Sequence, residues 1–461
     1  APVLSVDADV DDDASKQSLP LERLPATLRK GFALLNREVP WLKDDGGHRP
    51  GRSFLLSGKL AREYDTRDVL RTLAGVTRTS GADRTREQAL EWAFRLWSSG
   101  RSLSDKETRS AGFFVPTAEG WIDAEAAMFG AGWDVPNGKK LHSLLRNTAD
   151  GSEDLRRSQG RFLPDHAAWP IRFGAHAEWV RFLIAAGVAD CLRPVGGETV
   201  TSEPTGYSVN LPGAVSSFVP DLPEALSAHW RTQLAKDCAK MYTSRQYRAE
   251  LRPWRIPGQG EIETFPPEVR RDYAVQVVRA MRGFGEEHRT FRAVRADTGA
   301  VATEPHRLST PLYAFLTGAE WLPVIRPGGQ LRFVKPEAAW YFDTDEDRPP
   351  RFLDFVVHQV AVAIDSTSLE WLQERAQLGL FNDGRHAGRA LLALADAAST
   401  RISDIRDVRR YQELFRWLWT SARQDGLPKS AASVPVFVDG EIGAVSKAGG
   451  EIALAYFDGE R

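Results

Sequence analysis

The stretch that comes nearest to a known chemical motif is GWDVPNGKKL, at residues 132–141. A phosphate-binding loop needs glycines that let the backbone approach a phosphate, followed by a Lys and a hydroxyl residue. Here Lys140 stands where the hydroxyl residue is required, and Pro136 removes a backbone N–H that would otherwise bind the phosphate. One residue too many also separates the two glycines. The sequence therefore predicts a turn before a helix at 141–146 rather than a nucleotide site.

Histidine and cysteine are too scattered for metal or nucleophile chemistry. The nine histidines contain no His-x-x-x-His pair, and the two cysteines, Cys191 and Cys238, have no neighbouring partner. His166 and His176 are placed to face one another across a loop, an arrangement that is more often structural. Gly-x-Ser-x-Gly is absent as well. We therefore predict no catalytic residue, no cofactor and no metal in this chain.

Arginine is the residue type whose pattern most favours a binding role. Two groups of arginines have the spacing of basic helix faces, and such faces contact phosphates. Asp404 and Asp407 interrupt the first group, which favours an ordinary solvated face. A nucleic-acid contact is the alternative, and its candidate residues are Arg401, Arg406, Arg409, Arg410, Arg245 and Arg248. The 14 tryptophans are interpreted mainly as core, since several lie beside recurring turns.

The elements that position these residues recur along the chain. GFFVPTAEGWIDAEAAMF (112–129), AEWLPVIRPGGQLRFVKPEAAWYF (319–342) and SVPVFVDGEIGAV (433–445) each contain an apolar run, a Pro and a Gly-containing turn. We expect each to form the same β-hairpin, because a Gly turn between two apolar runs is typical of hairpins. A recurring unit of this kind indicates a modular array.

A second recurring unit is an amphipathic helix that ends at a glycine. It is found in LRTLAGV (70–76), RFLIAAGV (181–188) and ERAQLGL (374–380). Gly is favoured after a helix because the left-handed conformation is strained for other residues. The distance from Trp to Gly is eight in two copies (187 − 179 and 379 − 371), so Trp179 and Trp371 are predicted to be equivalent core residues.

The whole chain reads as mainly α with small antiparallel β-hairpins (α+β), multi-domain, and built as a degenerate repeat array. A length of 461 residues exceeds what one core usually holds. The net charge of −2 and the lack of a long apolar run exclude a strongly basic nucleic-acid protein and predict no membrane span. The expected division is an acidic leader at 1–20, a first repeat region at 21–250, a Pro-rich linker at 251–268 and a second repeat region at 269–461.

Four strings together resemble the region behind the ATPase domain in large bacterial sacsin-like proteins: VPTAEGWIDAEAAMFGAGW, EWVRFLIAAGVADCLRP, EWLPVIRPGGQLRFVKPEAAWYF and LQERAQLGLFNDGRHAGRALLALA. In that family a hairpin is followed by a helix that ends in Leu-Gly, and the unit repeats. The resemblance covers roughly 85–200 and 305–445. It implies an Hsp90-like nucleotide-binding domain elsewhere in a longer protein, and in some relatives an association with anti-phage defence.

Three functions follow as hypotheses. The first is a non-catalytic scaffold or sensor segment of a cytoplasmic sacsin-like ATPase, which contacts other domains of a longer chain or a protein complex. The second is a nucleic-acid-contacting module of a defence or repair complex. The third is an enzyme whose site is assembled from residues distant in sequence. The chain begins at Ala1 without an initiating Met or a leader, which suggests a segment of a longer protein.

Overall fold

The computed structural model divides the chain into two compact units, residues 1–195 and 196–461. It describes residues 66–99, 103–148, 152–201, 205–207, 211–216, 224–241, 246–295, 306–326, 329–342, 353–374, 376–381, 386–390, 393, 417–418, 435–438 and 441–444. The acidic leader expected at 1–20 lies outside these residues. The division falls at Val195, whereas the Pro-rich segment 251–268 lies inside the second unit.

The first unit is mainly helical and contains one hairpin. Its helices are α1 (Thr66–Thr79), α2 (Asp83–Ser98), α3 (Asp105–Ser110), α4 (Gly138–Thr148), α5 (Glu153–Gln159) and α6 (His176–Ala186). The hairpin consists of β1 (Phe114–Thr117) and β2 (Gly120–Asp123), and short 3-10 helices follow at Ala124–Ala126 and His166–Ala168. A two-residue strand, β3 (Val195–Gly196), lies at the division between the units.

The second unit mixes helices with short strands. Its helices are α7 (Leu211–Ser216), α8 (Glu224–Cys238), α9 (Pro267–Ala280), α10 (Glu286–Arg289), α11 (Pro311–Gly318), α12 (His358–Ala361) and α13 (Ser366–Glu374). Its 3-10 helices are Ile262–Thr264, Met281–Gly283 and Pro336–Ala338. Its strands are β4 (Val200–Thr201), β5 (Thr205–Tyr207), β6 (Gln246–Leu251), β7 (Trp254–Arg255), β8 (Thr290–Arg295), β9 (His306–Ser309), β10 (Leu322–Ile325), β11 (Leu331–Val334), β12 (Trp340–Tyr341), β13 (Phe355–Val356), β14 (Gly379–Leu380), β15 (Pro435–Val438) and β16 (Glu441–Ala444).

The second unit contains two five-stranded sheets. One has the order β4-β6-β8-β9, with β5 also paired to β6, and these strand pairs are all antiparallel. The other has the order β11-β10-β13-β12-β14, in which β12 runs parallel to both β13 and β14. The chain is therefore mainly helical with small, mostly antiparallel sheets, which confirms the predicted fold class.

Each unit has its own hydrophobic core. In the first unit α1 buries Leu70, Leu73, Ala74 and Thr77, which share one face because they follow the i, i+3, i+4, i+7 spacing. Thr77 also anchors the hairpin, since its Oγ1 accepts a hydrogen bond from the N–H of Phe114 at 2.9 Å. In the second unit, side chains of α7 and α8 pack with one face of the sheet formed by β4, β6, β8 and β9.

All three predicted hairpins are present. β1 pairs with β2, β10 with β11, and β15 with β16, each antiparallel. The predicted helices that end at a glycine are not all confirmed. The first of them is wrong, because Gly75 lies inside α1 rather than at its end.

Glu224–Cys238 forms the helix α8 and Gln246–Leu251 forms the strand β6, so Arg248 lies on a strand and not on the predicted basic helix face. The alternation of buried Tyr247, Ala249 and Leu251 with exposed residues gives this segment the period of a strand. In the part of the chain that the structure describes, no helix is long and apolar enough to cross a membrane.

Candidate functional site

The hairpin of the first unit leads directly into a short acidic turn. Pro116 faces Trp121 across the two strands, and Gly120 takes a φ of +105°, which a glycine adopts without strain. The 3-10 helix Ala124–Ala126 follows at once. Its start is capped by Asp123, whose Oδ1 accepts from the N–H of Glu125 at 2.9 Å.

The hairpin of the second unit repeats this arrangement. Pro323 faces Phe333 as Pro116 faces Trp121, and the 3-10 helix Pro336–Ala338 follows after one further residue. Each 3-10 turn is closed by the residue after it: the N–H of Ala127 donates to Ala124 at 3.2 Å, and that of Ala339 donates to Pro336 at 3.0 Å. Glu125 and Glu337 are thus the second residues of equivalent turns.

After each turn, one residue makes a parallel contact with two other segments of the chain, one on either side. Met128 bridges to both Phe162 and Ala189, and Trp340 pairs with both Phe355 and Gly379. The backbone bonds agree, since Ala189 donates its N–H to Ala127 at 3.3 Å and Gly379 donates to Ala339 at 3.0 Å. Ala189 is therefore the structural equivalent of Gly379.

This equivalence corrects the predicted glycine alignment. The left-handed residue that ends α6 is Gly187, with a φ of +114°, and it lies two residues before Ala189. The residue two before Gly379 is Gln377, the single described non-glycine residue with positive φ, at +59°. Gln377, not Gly379, corresponds to Gly187, so the equal spacing from Trp to Gly is coincidental.

A partly buried arginine holds each left-handed residue in place. Arg193 donates from Nη2 to the carbonyl of Gly187, and Arg389 donates from Nη1 to the carbonyl of Gln377 at 2.9 Å. Arg389 also donates from Nη2 to the carbonyl of Glu337, so it joins the helix end to the acidic turn. Burial lowers the pKa of both guanidinium groups.

A second arginine in each unit stacks on the hairpin. The Arg86 guanidinium lies 5.7 Å from the Trp121 ring centre, and that of Arg270 lies 4.2 Å from the Phe333 ring centre. Each arginine is the fourth residue of its helix, α2 or α9. Each has a buried Nε without a hydrogen-bond partner, so the stacking itself stabilises these groups.

We call this recurring set the hairpin–turn module: a helix with a stacking arginine, a hairpin, a 3-10 turn with Glu, a parallel contact and an arginine-held helix end. The two copies differ most after the first helix. In the first copy, residues 99–104 connect α2 to α3, whereas in the second copy residues 281–310 contain α10, β8 and β9. The second module is thus interrupted by two strands of a sheet that the first module lacks.

A polar groove of about 540 Å³ lies beside the turn of the first module. It is lined by Asp105, Lys106, Arg109, Ser110, Gly112, Asp123 and Glu125. Both signs of charge are present, and Arg109 and Glu125 form an ion pair at 4.0 Å. The groove therefore offers separate contacts for carboxylates and for basic groups on a partner, which suits a protein surface better than a single small anion.

The predicted nucleic-acid contacts are placed as follows. Arg248 lies at an exposed position of β6, on a strand rather than on a helix. Arg245, Arg401, Arg406, Arg409 and Arg410 lie outside the described residues. Arg248 is therefore the only one of the six residues that lies in the described part of the chain, and the predicted contacts stay a prediction.

His166 and His176 do meet, as the sequence predicts. Their ring centres are 4.1 Å apart in an edge-to-face contact, and both rings contact the buried Trp133. His176 Nε2 accepts the N–H of Asp134 at 3.2 Å. Burial, together with the neighbouring His176 and Arg172, lowers the pKa of His166.

Within the described ranges, no group of three or more His, Cys, Asp or Glu side chains is arranged to hold a metal ion. At 132–141, the nearest match to a phosphate loop, α4 begins at Gly138 and its two lysines, Lys139 and Lys140, are exposed.

Sequence reasoning missed the two arginines that hold the helix ends. Arg193 follows its partner Gly187 by six residues and Arg389 follows Gln377 by twelve (193 − 187 and 389 − 377), so no fixed spacing signals them. The stacking arginines have a usable signal, because Arg86 and Arg270 both occupy the fourth position of a helix.

Comparison with protein-family models gives no match to this chain. Curated proteins and solved structures give no match either.

Proposed function

We propose that this chain is a non-catalytic interaction and relay segment made of hairpin–turn modules, belonging to a large sacsin-like ATPase that acts in bacterial anti-phage defence. One observation supports it most: two units with separate cores contain the same module, down to the arginine that holds the helix end. Repetition of a structural module is typical of proteins that present surfaces to partners. The sacsin-like assignment rests on the four sequence strings quoted above.

The mixed charge of the groove in the first module supports protein contact in particular. Arg109 and Lys106 of α3, and Asp123 and Glu125 at the end of the hairpin and in its turn, give a partner charges of both signs to match. Complementary charges of this kind set the orientation and the association rate of protein partners more than they set affinity.

The nucleotide test addresses catalysis directly. A ligand that binds the native state raises its melting temperature. We expect ATP with Mg²⁺ neither to shift the melting temperature of the purified chain nor to be hydrolysed by it. A reproducible shift that Lys139→Ala abolishes would overturn the proposal, because it would make residues 132–141 a nucleotide site.

The second candidate function, nucleic-acid contact, is favoured by one observation: Arg248 is exposed on a sheet that carries further arginines. Phosphate contacts lose affinity steeply as salt rises. Binding of single-stranded DNA that persists at physiological salt and is lost in Arg248→Ala would favour this function over the first.

A further inference from the structure

The sheet that interrupts the second module has one covered face and one open face. Tyr247, Ala249 and Leu251 of β6 point into the core with Trp230 and Leu234 of α8. Because side chains alternate along a strand, the residues between them point to the opposite face. On β6 these are Gln246, Arg248 and Glu250, all exposed.

Arginines follow one another across this open face. Arg292 of β8 lies directly opposite Arg307 of β9, and it lies opposite Glu250 of β6 on its other side. Arg248 lies opposite Val294, so it is the diagonal neighbour of Arg292. Direct neighbours are about 5 Å apart and diagonal neighbours about 7–8 Å. Arg248, Arg292 and Arg307 therefore form a continuous run, which we call the arginine face.

Two arginines directly opposite each other on a sheet repel one another and destabilise the pair. Arg307 has one counter-charge, since its Nη1 lies 2.5 Å from Glu286 Oε1. Even so, an additional anion placed over Arg292 and Arg307 would relieve their repulsion. The arginine face is also specific to the second module, because β8 and β9 have no counterpart between α2 and α3.

The carboxylates on the same face indicate the kind of partner. Glu250 lies opposite Arg292, and Glu286 lies beside Arg307, so acids flank the basic run. A nucleic-acid backbone carries a phosphate at every step and would bring some of its charges against these acids. A protein segment places carboxylates at selected positions only, and Arg pairs with carboxylates in bidentate geometry.

We propose that the arginine face binds a protein segment that carries carboxylates. This inference depends on the proposed function only in naming a protein as the partner. It concerns a surface in the second unit, whereas the groove of the first module and the candidate nucleotide segment belong to the first unit. The outcome of the nucleotide test therefore does not decide whether the arginine face binds a protein segment that carries carboxylates.

The experiment uses the full chain and two labelled probes in fluorescence anisotropy. One probe is a 16-residue peptide of alternating Glu and Thr, and the other is a 16-nucleotide oligo-dT, both at 50 and 150 mM NaCl. The test variant is Arg248→Glu with Arg292→Glu. The matched control is Lys236→Glu with Lys240→Glu, which makes the same charge change at exposed positions of α8 and just after it.

We expect the peptide to bind the unmodified chain more tightly than oligo-dT at 150 mM NaCl. Loss of two charge-assisted contacts should weaken peptide binding by about tenfold or more in the Arg248/Arg292 variant, and by less than about threefold in the control. Tighter binding of oligo-dT, strengthened further by Glu250→Gln, would show a nucleic-acid partner and overturn the proposal. Equal losses in both variants, or no peptide binding by the unmodified chain, would overturn it as well.

Discussion

Trp179 shows how one side chain organises the core of the first unit. It is 1% exposed, stacks on Phe94 with ring centres 4.1 Å apart, and contacts Phe182 and Trp169 edge to face. Its Nε1 donates to the carbonyl of Phe173 at 2.6 Å, so its one polar group is paired. Removing this side chain would therefore leave several aromatic rings of the core without their packing partner.

We therefore expect Trp179→Ala to lower the free energy of unfolding by about 3–5 kcal/mol, as large aromatic deletions in cores do. Urea unfolding followed by circular dichroism measures it. Trp179→Phe is the matched control and should cost clearly less, because it keeps an aromatic ring against Phe94. A loss below about 1 kcal/mol in Trp179→Ala would contradict the packing described here.

Three histidines make stability depend on pH in the same direction: His288 is buried, and His166 and His229 are partly buried. Burial is the largest cause that lowers the pKa of His166, His229 and His288 in the folded protein. For His288 the nearby Glu287 and the N–H of Gly285 act in opposition to burial. A histidine with a lowered folded pKa binds protons more weakly in the folded state than in the unfolded state.

The free energy of unfolding should therefore fall as the pH is lowered through about 6.5, the unfolded histidine value, and keep falling until the folded groups protonate. The acids Glu107, Glu286 and Asp365 have lowered pKa values, and their stabilising effect is lost in a more acidic range, below about 4.5. Urea titrations between pH 7.5 and 5.5 measure the histidine part. His166→Gln should reduce the slope, and an unchanged slope would contradict this assignment.

At the scale of residues, the sequence predicted which side chains are buried better than it predicted which groups form hydrogen bonds with one another. Local sequence patterns predict that Trp179 and Trp371 are buried and that His166 contacts His176. The two arginines that hold the helix ends do not, because the bond each makes depends on how separate segments come together.

At the scale of elements, the two arginine-held helix ends differ in one informative way. Gly187 and Gln377 both have a positive φ, +114° and +59°, but only the glycine takes such a φ without strain. Glycine is needed at Gly187 for a second reason: a Cβ there would lie 2.8 Å from Glu125 Cγ. The side chain of Gln377 is exposed, and its carbonyl makes the bond to Arg389.

We expect Gln377→Gly to stabilise the second unit by about 1 kcal/mol, since it removes backbone strain and leaves the carbonyl in place. The opposite change, Gly187→Ala, should destabilise the first unit by about 1–3 kcal/mol. Urea unfolding measures both. Gly81→Ala is a suitable control, because a Cβ there meets nothing within 4 Å. Destabilisation by Gln377→Gly would show that the two helix ends are not equivalent.

The elements that the sequence predicted well are those specified within a few residues. A Pro, a Gly turn and two apolar runs suffice for each hairpin. The helix ends were predicted less well because a glycine after an apolar residue has no fixed structural meaning: Gly75 is helical, Gly187 ends a helix and Gly379 lies in a strand. Their roles are set by the strands that each segment meets.

At the scale of the whole molecule, the Pro-rich segment 251–268 lies within the second unit and not at the division between the two units. Prolines at 253, 257, 266 and 267 suggest a linker. In the structure this segment is packed: Ile256 is fully buried, and Tyr273 of α9 donates from its hydroxyl to the carbonyl of Pro257 at 2.9 Å. Proline stops regular structure, but it does not stop packing.

Two separate cores predict two unfolding transitions. A domain with its own hydrophobic core can unfold as a unit, and a core substitution then acts on that unit alone. Trp179 belongs to the first unit and Trp371, which is fully buried, to the second. In differential scanning calorimetry, Trp179→Ala should lower the midpoint of one transition and Trp371→Ala that of the other. The double variant should show both shifts, since distant substitutions add. If each single substitution moved both transitions equally, the two units would unfold as one, and the division at Val195 would have no energetic meaning.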